Sequence, residues 1–173
     1  MWVIGASGSG KTTLSAEIAR RLGTEHVELD ALHHGPNWAE PDPDEFRALI
    51  GEIVVRDDWV IDGSYGEKLG DMVPDAADTL VWIDLPMGLT MGRLVRRTLG
   101  RILRDEELWN GNRETFTDAF WGQESLLWWA VRKHVDYRRR FPVRFAKEEW
   151  AAKRVVRLRS QRDIDRFLGS LPR

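Results

Sequence analysis

Apolar residues collect in five short runs separated by segments with helical spacing. The runs are Trp2-Val3-Ile4, His26-Val27-Glu28-Leu29-Asp30, Trp59-Val60-Ile61-Asp62, Thr79 to Leu85, and Lys153 to Leu158. Four of the five are short apolar runs of the kind buried on both faces of a parallel sheet. The segments between them have a different period. Leu14, Ile18 and Leu22 form one apolar face over 13–22, and Phe46, Leu49, Ile50 and Ile53 do the same over 44–56, with Asp42 or Asp44 available as a cap. Residues 31–43 read as a loop rich in proline, and Asp163 to Leu171 as a closing helix. Strands that alternate with helices require parallel crossovers, so the pattern predicts a three-layer α/β fold.

Residues 87–150 are too many for one crossover. The spacing predicts an arginine-rich helix over 88–104, a polar turn over 105–112 and one long helix over 115–140. The first two read as a mobile cover over whatever binds at the strand ends, a helical lid insertion at about 93–113. One domain over 1–173 is expected from the length.

Directly after the first run comes Gly5-Ala6-Ser7-Gly8-Ser9-Gly10-Lys11-Thr12, which fits the phosphate-loop pattern G-x-x-x-x-G-K-[ST]. Its context is the informative part. A loop that cradles phosphate leaves a buried strand and opens a helix, so that backbone N–H groups and the positive helix end converge on one anion. Gly8, Ser9, Gly10, Lys11, Thr12 and Thr13 are therefore the expected binding residues for a nucleoside triphosphate, with the Thr12 hydroxyl offered to Mg²⁺. In an α/β sheet of this kind ligands lie beyond the carboxyl ends of the strands, where Asp30 and Asp62 also fall.

Composition narrows the setting. The chain has no cysteine, which excludes disulfides and thiolate metal sites, and its most apolar later run, Thr79 to Leu85, is too short for a bilayer and contains Asp84. With the first strand starting at residue 2, no signal sequence is expected, and a cytoplasmic protein without a membrane partner follows as the expectation. The formal net charge of -2 hides an asymmetry: residues 25–78 hold fifteen Asp and Glu against three Lys and Arg, while 92–173 hold eleven against twenty. Overall basicity of the kind a dedicated nucleic-acid binder needs is absent, so nucleic acid is an unlikely partner.

Several segments beyond the loop together carry a resemblance. They are Asp30-Ala31-Leu32 to Pro36-Asn37-Trp38, Val60-Ile61-Asp62-Gly63-Ser64-Tyr65, Ala77-Asp78 to Trp82-Ile83-Asp84-Leu85-Pro86, and Leu158-Arg159-Ser160. With the loop, they make the chain resemble the adenylate-kinase-related P-loop kinases, and within them the group of FlaR-like DNA topology modulation proteins. The resemblance implies a five-stranded parallel sheet in the order 2-3-1-4-5, ATP and Mg²⁺ as cofactors, an arginine-bearing lid, and a phosphoryl acceptor held between the second and third strands, in an acceptor-binding region at about 31–58. It implies that Asp62 orders the metal shell, with Asp84 as the competing acid, and that Arg159 and the loop after it lie against the adenine.

The remaining candidates come from chemistry. Asp30 suits a kinase base that takes the proton of an acceptor hydroxyl; a cap or turn role is the alternative. Arg93, Arg97, Arg101 and Arg104 form a stripe on one helix face suited to a transferring phosphoryl group, with Arg97 and Arg101 the catalytic pair and Arg93 and Arg97 on the nucleotide; Arg113 follows after the turn. His33, His34, Asn37, Trp38 and Tyr65 are candidate acceptor residues together with Asp30 and Asp62. Phe116, Phe120, Trp121, Trp128 and Trp129 have the spacing of a helix face packed on a core or on a second copy, so a homodimer through this Trp-rich helix is a candidate assembly.

The resemblance and the residues together predict an ATP- and Mg²⁺-dependent kinase acting on a small molecule. Where adenylate kinases continue Asp-Gly with Phe-Pro-Arg, this chain has Ser64-Tyr65-Gly66, without the arginine that grips a monophosphate. An uncharged or cationic acceptor, such as a nucleoside or an amino sugar, fits that field better than a phosphorylated one. The alternatives are a nucleoside monophosphate kinase, a nucleotide-dependent regulator that binds nucleic acid through the basic second half, and an obligate dimer in which the nucleotide is structural.

Overall fold

The computed structural model describes residues 1–122 and 125–172. Strands β1 (Trp2–Gly5), β2 (Glu25–Glu28), β3 (Trp59–Asp62), β4 (Thr79–Ile83) and β5 (Arg154–Leu158) form one parallel sheet in the order β2-β3-β1-β4-β5. This is the order that the resemblance implied.

Alternation along each strand divides the apolar residues between two layers. Trp2, Ile4, Trp59, Ile61, Leu80 and Trp82 face one way, where they meet Phe46, Ile50 and Ile53 of α3 (Pro43–Val54), Leu69 of α4 (Gly66–Leu69), Val73 of α5 (Met72–Ala76) and Phe141 of α8 (Leu126–Phe145). Val3, Val60, Val81 and Ile83 face the other way, onto Leu14 and Ile18 of α1 (Lys11–Leu22) and Ile164 and Phe167 of α9 (Gln161–Gly169). Val3, Ile4, Val60, Ile61, Leu80 and Val81 are fully buried; each such side chain contributes roughly 2 kcal/mol through the area it removes from water. Asp42 caps α3, accepting from the N–H groups of Asp44 and Glu45, with Pro43 at the first helical position.

Three segments differ from expectation. The second strand stops at Glu28, and Leu29–His33 is a one-turn helix, α2, so Asp30 stands just past the strand end inside that turn. The predicted helix over 115–140 is two helices, α7 (Phe116–Phe120) and α8, because Gly122 turns at φ 88° and Ser125 starts α8 by accepting from the Trp128 N–H. Helix α8 then runs past residue 140 to Phe145, with Pro142 inside it. The aromatic cluster fares accordingly: Phe116, Trp121, Trp128 and Trp129 are exposed, and this part of the chain contributes to the core through Phe141, with Tyr137 and Phe145 packed beside it.

The lid insertion begins with α6 (Met87–Leu103), which lies against α8 and α7, continues through a short turn at Trp109–Gly111, and leads into α7. No described helix is long and apolar enough to cross a membrane.

Asp84 belongs to this framework. Its N–H donates to the Leu158 carbonyl, its Oδ1 accepts from Arg138 Nε at 2.7 Å, and its Oδ2 accepts from Arg157 Nε at 2.9 Å. The carboxylate thus ties β4 to β5 and to α8, and both its oxygens are engaged away from the phosphate loop. Asp84→Asn is expected to destabilise the fold by about 2 kcal/mol, within the range for charge-assisted bonds with partly exposed partners, and to leave nucleotide affinity unchanged. Urea denaturation and equilibrium binding of a fluorescent ATP analogue check the two halves of this expectation.

Candidate active site

The phosphate loop leaves β1 at Gly5 and enters α1 through Gly10, which caps the helix at φ 91° without a side-chain hydrogen bond to its first N–H groups. Those N–H groups are the donors an anion needs. Gly8 carries the tightest constraint. It turns at φ 78°, and a Cβ there would meet the Thr90 carbonyl oxygen at 2.2 Å and Leu94 Cβ at 3.1 Å. The loop is therefore wedged against the first turns of α6, and only glycine fits.

Lys11 Nζ lies 3.6 Å from Asp30 Oδ2, and the Tyr65 hydroxyl donates to Asp30 Oδ1 at 2.7 Å. Burial pushes the Tyr65 phenol well above its ordinary pKa, and the Asp30 charge and its hydrogen bond push it further. Tyr65 therefore stays protonated and remains a donor. Tyr137, from α8, is raised by burial to about 12, against a hydrogen bond with Ser64, and the Asp30 charge also raises it. Asp30 is thus held between the phosphate-loop lysine and a fixed phenol.

The carboxylate beside Thr12 is Glu28, which the sequence reading did not single out. The Thr12 hydroxyl donates to Glu28 Oε1 at 3.2 Å. Asp62 stands one strand over, in register with Glu28 and Val3, is fully buried, and accepts or shares a proton with His26 Nε2 at 2.7 Å through Oδ2. Asp62 Oδ1 is buried without a hydrogen-bond partner. An orphaned carboxylate oxygen, a second carboxylate and the Thr12 hydroxyl form an all-oxygen set that fits Mg²⁺, which keeps most of its shell as water and phosphate and needs only one or two carboxylates. No group of three or more acidic, His or Cys ligands occurs among the described residues.

The lid arginines divide. Arg97 is exposed as a residue, yet its guanidinium pKa is pushed down by desolvation first and by Arg101 next, while Glu114, Asp30 and Glu28 pull it back up. The Arg97 charge is thus felt by Asp30 and Glu28 beside the loop as well as by Glu114 of the lid. Arg101 donates to Glu114 Oε1 at 3.1 Å. Arg93 donates to Gln161 Oε1 at 3.4 Å, which joins α6 to the first residue of α9, two residues after the exposed Arg159. Arg104 is exposed, and Arg113 is engaged within the lid by Asp105 and Glu107.

Of the acceptor candidates, His33 is buried, stacks on Tyr65 at 4.4 Å between ring centroids, and takes a hydrogen bond from Lys68 Nζ at 2.6 Å. Asn37 is an exposed turn residue at φ 57°, Trp38 is 39% exposed with its ring edge on His34, and His34 stacks on Trp109 of the lid. The site residues not found from sequence are therefore His26, Glu28, Trp109, Asn112, Glu114 and Tyr137. Glu28 carried a usable signal, since it precedes Asp30 by two residues at the carboxyl end of a strand. The others depend on which loops meet.

Comparison with known proteins agrees with this arrangement at the level of the fold. A family described as "AAA domain" matches residues 1–65, the span that holds the phosphate loop, Glu28, Asp30 and Asp62. The uncharacterized protein YqaC of Bacillus subtilis is 25% identical over 101 residues, covering 57% of this chain and 56% of its own length. A cytidylate kinase of Halobacterium salinarum is 29% identical over 111 residues, covering 55% and 56%. The matches thus span about half the length of these relatives. Among solved structures, an unliganded sugar kinase from Janibacter sp. HTCC2649 superposes with a TM-score of 0.52 at 22% identity, over 97% of this chain and 91% of that one. A shikimate kinase from Acinetobacter baumannii in complex with shikimate superposes with a TM-score of 0.55 at 15% identity, over 97% and 87%. The fold is that of the P-loop kinases.

The buried imidazoles give the site a pH signature. The pKa of His33 is lowered by burial first and by the Lys68 charge next, against the pull of Glu40, and that of His134 is lowered by burial and Arg138. The unfolded chain takes up these protons near pH 6.5 and the folded chain resists them, so their contribution is complete above that pH and is lost as pH falls below it. The thermal midpoint is expected to drop between about pH 7.5 and 5.5, with a shallower drop in His33→Gln, as differential scanning fluorimetry in matched buffers checks.

Proposed function

We propose that this chain is an ATP- and Mg²⁺-dependent small-molecule kinase that transfers the γ-phosphoryl group to a hydroxyl of an uncharged or cationic acceptor, such as a nucleoside or an amino sugar. The observation that carries the proposal is the line Lys11, Asp30, Tyr65: a phosphate-binding ammonium 3.6 Å from a carboxylate whose other oxygen is fixed by a phenol at 2.7 Å. Nucleophile activation and phosphate neutralisation meet at one point, which is the geometry in-line phosphoryl transfer uses.

In this reading Lys11 and the N–H groups at the start of α1 hold the transferring and bridging phosphates. Asp30 takes the acceptor's proton as its oxygen forms a bond to phosphorus and the bond to the ADP oxygen breaks, and Tyr65 keeps the Asp30 carboxylate oriented. Arg97 and Arg101 stabilise charge that spreads over the equatorial oxygens. Thr12, Glu28 and Asp62 would hold the Mg²⁺ shell, and the ion would supply neutralisation of phosphate charge. Arg93, Thr13 and Arg159 flank the nucleotide. A reaction that consumes ATP fits the expected cytoplasmic setting.

The acceptor side is acidic. Glu28, Asp30 and Glu114 line the approach from the lid and β2, and Lys68 is engaged by Glu40 and His33. Arg56 is paired with Glu25 at the far end of β2, and Arg47 reaches the Lys68 carbonyl. None of these cations is placed to grip a second phosphate, which favours an acceptor with hydroxyl or amino donors. The names of the relatives support a kinase without selecting its substrate. The cytidylate kinase among them favours a monophosphate acceptor as the second reading.

A coupled ADP-release assay over a panel of nucleosides and amino sugars, with AMP, CMP, UMP and dTMP as the competing set, separates the two readings. Saturable turnover is expected with a member of the first set, and saturable turnover with a monophosphate overturns the acceptor assignment. Asp30→Asn is expected to lower kcat by about 10²-fold or more, in line with loss of a general base, with ATP affinity retained; Lys11→Ala is expected to lose ATP affinity. A homodimer is the remaining part of the proposal, with the exposed Phe116, Trp121, Trp128 and Trp129 as the face a second copy covers. Sedimentation velocity at micromolar concentration tests it, and a monomer there refutes it.

A further inference from the structure

Two turns far apart in the sequence are built alike and fastened to each other. Pro36–Trp38 in the acceptor loop and Trp109–Gly111 in the lid are both short 3-10 turns, with Asn37 at φ 57° and Asn110 at φ 56°. Trp38 follows at φ 59°. A bulky residue keeps that left-handed conformation only where its surroundings over-determine it, and here the lid is part of those surroundings.

Asn112 is 3% exposed and makes three bonds with its side chain. Its Oδ1 accepts from the Trp38 N–H at 2.8 Å, and its Nδ2 donates to the Gly35 carbonyl at 2.9 Å and to the Trp109 carbonyl at 2.8 Å. Asn110 Nδ2 adds a bond to the His34 carbonyl at 2.6 Å. The Trp109 ring stacks on His34 at 5.8 Å and 25°, while its Nε1–H donates to Glu28 Oε2 at 3.2 Å. Since the other Glu28 oxygen accepts from Thr12, one continuous set of contacts runs from the phosphate loop through Glu28 and the lid to the acceptor loop. A lid that only covered nucleotide would have no need to satisfy the backbone of residues 34–38.

We propose that the lid turn Trp109–Asn112 is a wall of the acceptor site, pinned to the acceptor loop by Asn112, so that nucleotide held by the phosphate loop and the lid arginines orders the acceptor loop. This rests on the kinase reading above. Asn112 is then a positioning residue. Trp109 is a recognition residue: an indole beside an imidazole and a carboxylate suits a ring that carries hydroxyl or amino donors. The same coupling makes acceptor and nucleotide bind with positive cooperativity, because each pays part of the ordering that the other needs.

Hydrogen–deuterium exchange on the full chain tests the pin without any ligand. Asn112→Ala is expected to speed exchange over residues 34–39 by about tenfold, as loss of a buried hydrogen-bonded link does, with β1 and β4 unchanged. Asn110→Gly, which keeps the left-handed turn and removes only the amide to His34, is expected to speed the same peptides by less. Adding a non-hydrolysable ATP analogue with Mg²⁺ is expected to slow exchange over 34–39 in the wild type and not in Asn112→Ala. Unchanged exchange over 34–39 in both variants overturns the pin, and equal nucleotide protection of 34–39 in wild type and Asn112→Ala overturns the coupling. If Asn112→Ala loses structure throughout, Asn110→Gly decides the pin. A wild type that fails to bind the analogue defeats the kinase reading and the coupling with it, and the ligand-free comparison still decides the pin.

Discussion

Parallel pairing places the carboxyl ends of β2, β3 and β1 side by side, and the site depends on that constraint. Glu28 stands opposite Asp62, Asp62 opposite Val3, and the phosphate loop leaves the same edge at Gly5. Sheet register thus sets the two carboxylates side by side at the edge from which the loop leaves. A slip of one residue in β3 turns Asp62 to the opposite face. The apolar faces resist such a slip, because Val60 and Ile61 are both fully buried against different helix layers.

The loop itself is held by contact with α6. A Cβ at Gly8 would strike the Thr90 carbonyl and press on Leu94, which is fully buried, so the loop backbone lies directly against the start of α6. The helix that carries the lid arginines therefore packs against the phosphate loop at its start, and Arg97 and Arg101 follow Thr90 by about two and three turns. Position along one helix converts a packing contact into electrostatic reach.

Acid groups in the chain serve distinct ends according to what surrounds them. Asp84 is spent on two arginines and ties β5 to the sheet. Asp62 keeps one oxygen buried without a hydrogen-bond partner while His26 holds the other, and Asp30 keeps its position through Tyr65 and Lys11. The three share a residue type and a place at or just past a strand end, so strand-end position alone does not separate them. The partners that separate them come from α1 and α8, from β2 and β5, and from the loop after β3.

Local patterning was enough for the five strands, the phosphate loop and α1, α3, α6 and α9, because apolar period and glycine chemistry act over a few residues. The acidic bias of the acceptor side was legible too, since it is a matter of composition. What the sequence left open was which residues meet across the cleft. The break at Gly122 divides a run with helical spacing throughout, and its aromatic residues turn to the surface because the sheet face is filled by Phe141, Tyr137 and Phe145 further along. Asn112 and Trp109 read as polar-turn residues until the fold sets them against Gly35, Trp38, His34 and Glu28. Such contacts join segments more than seventy residues apart, and only the closed tertiary path of the chain decides them.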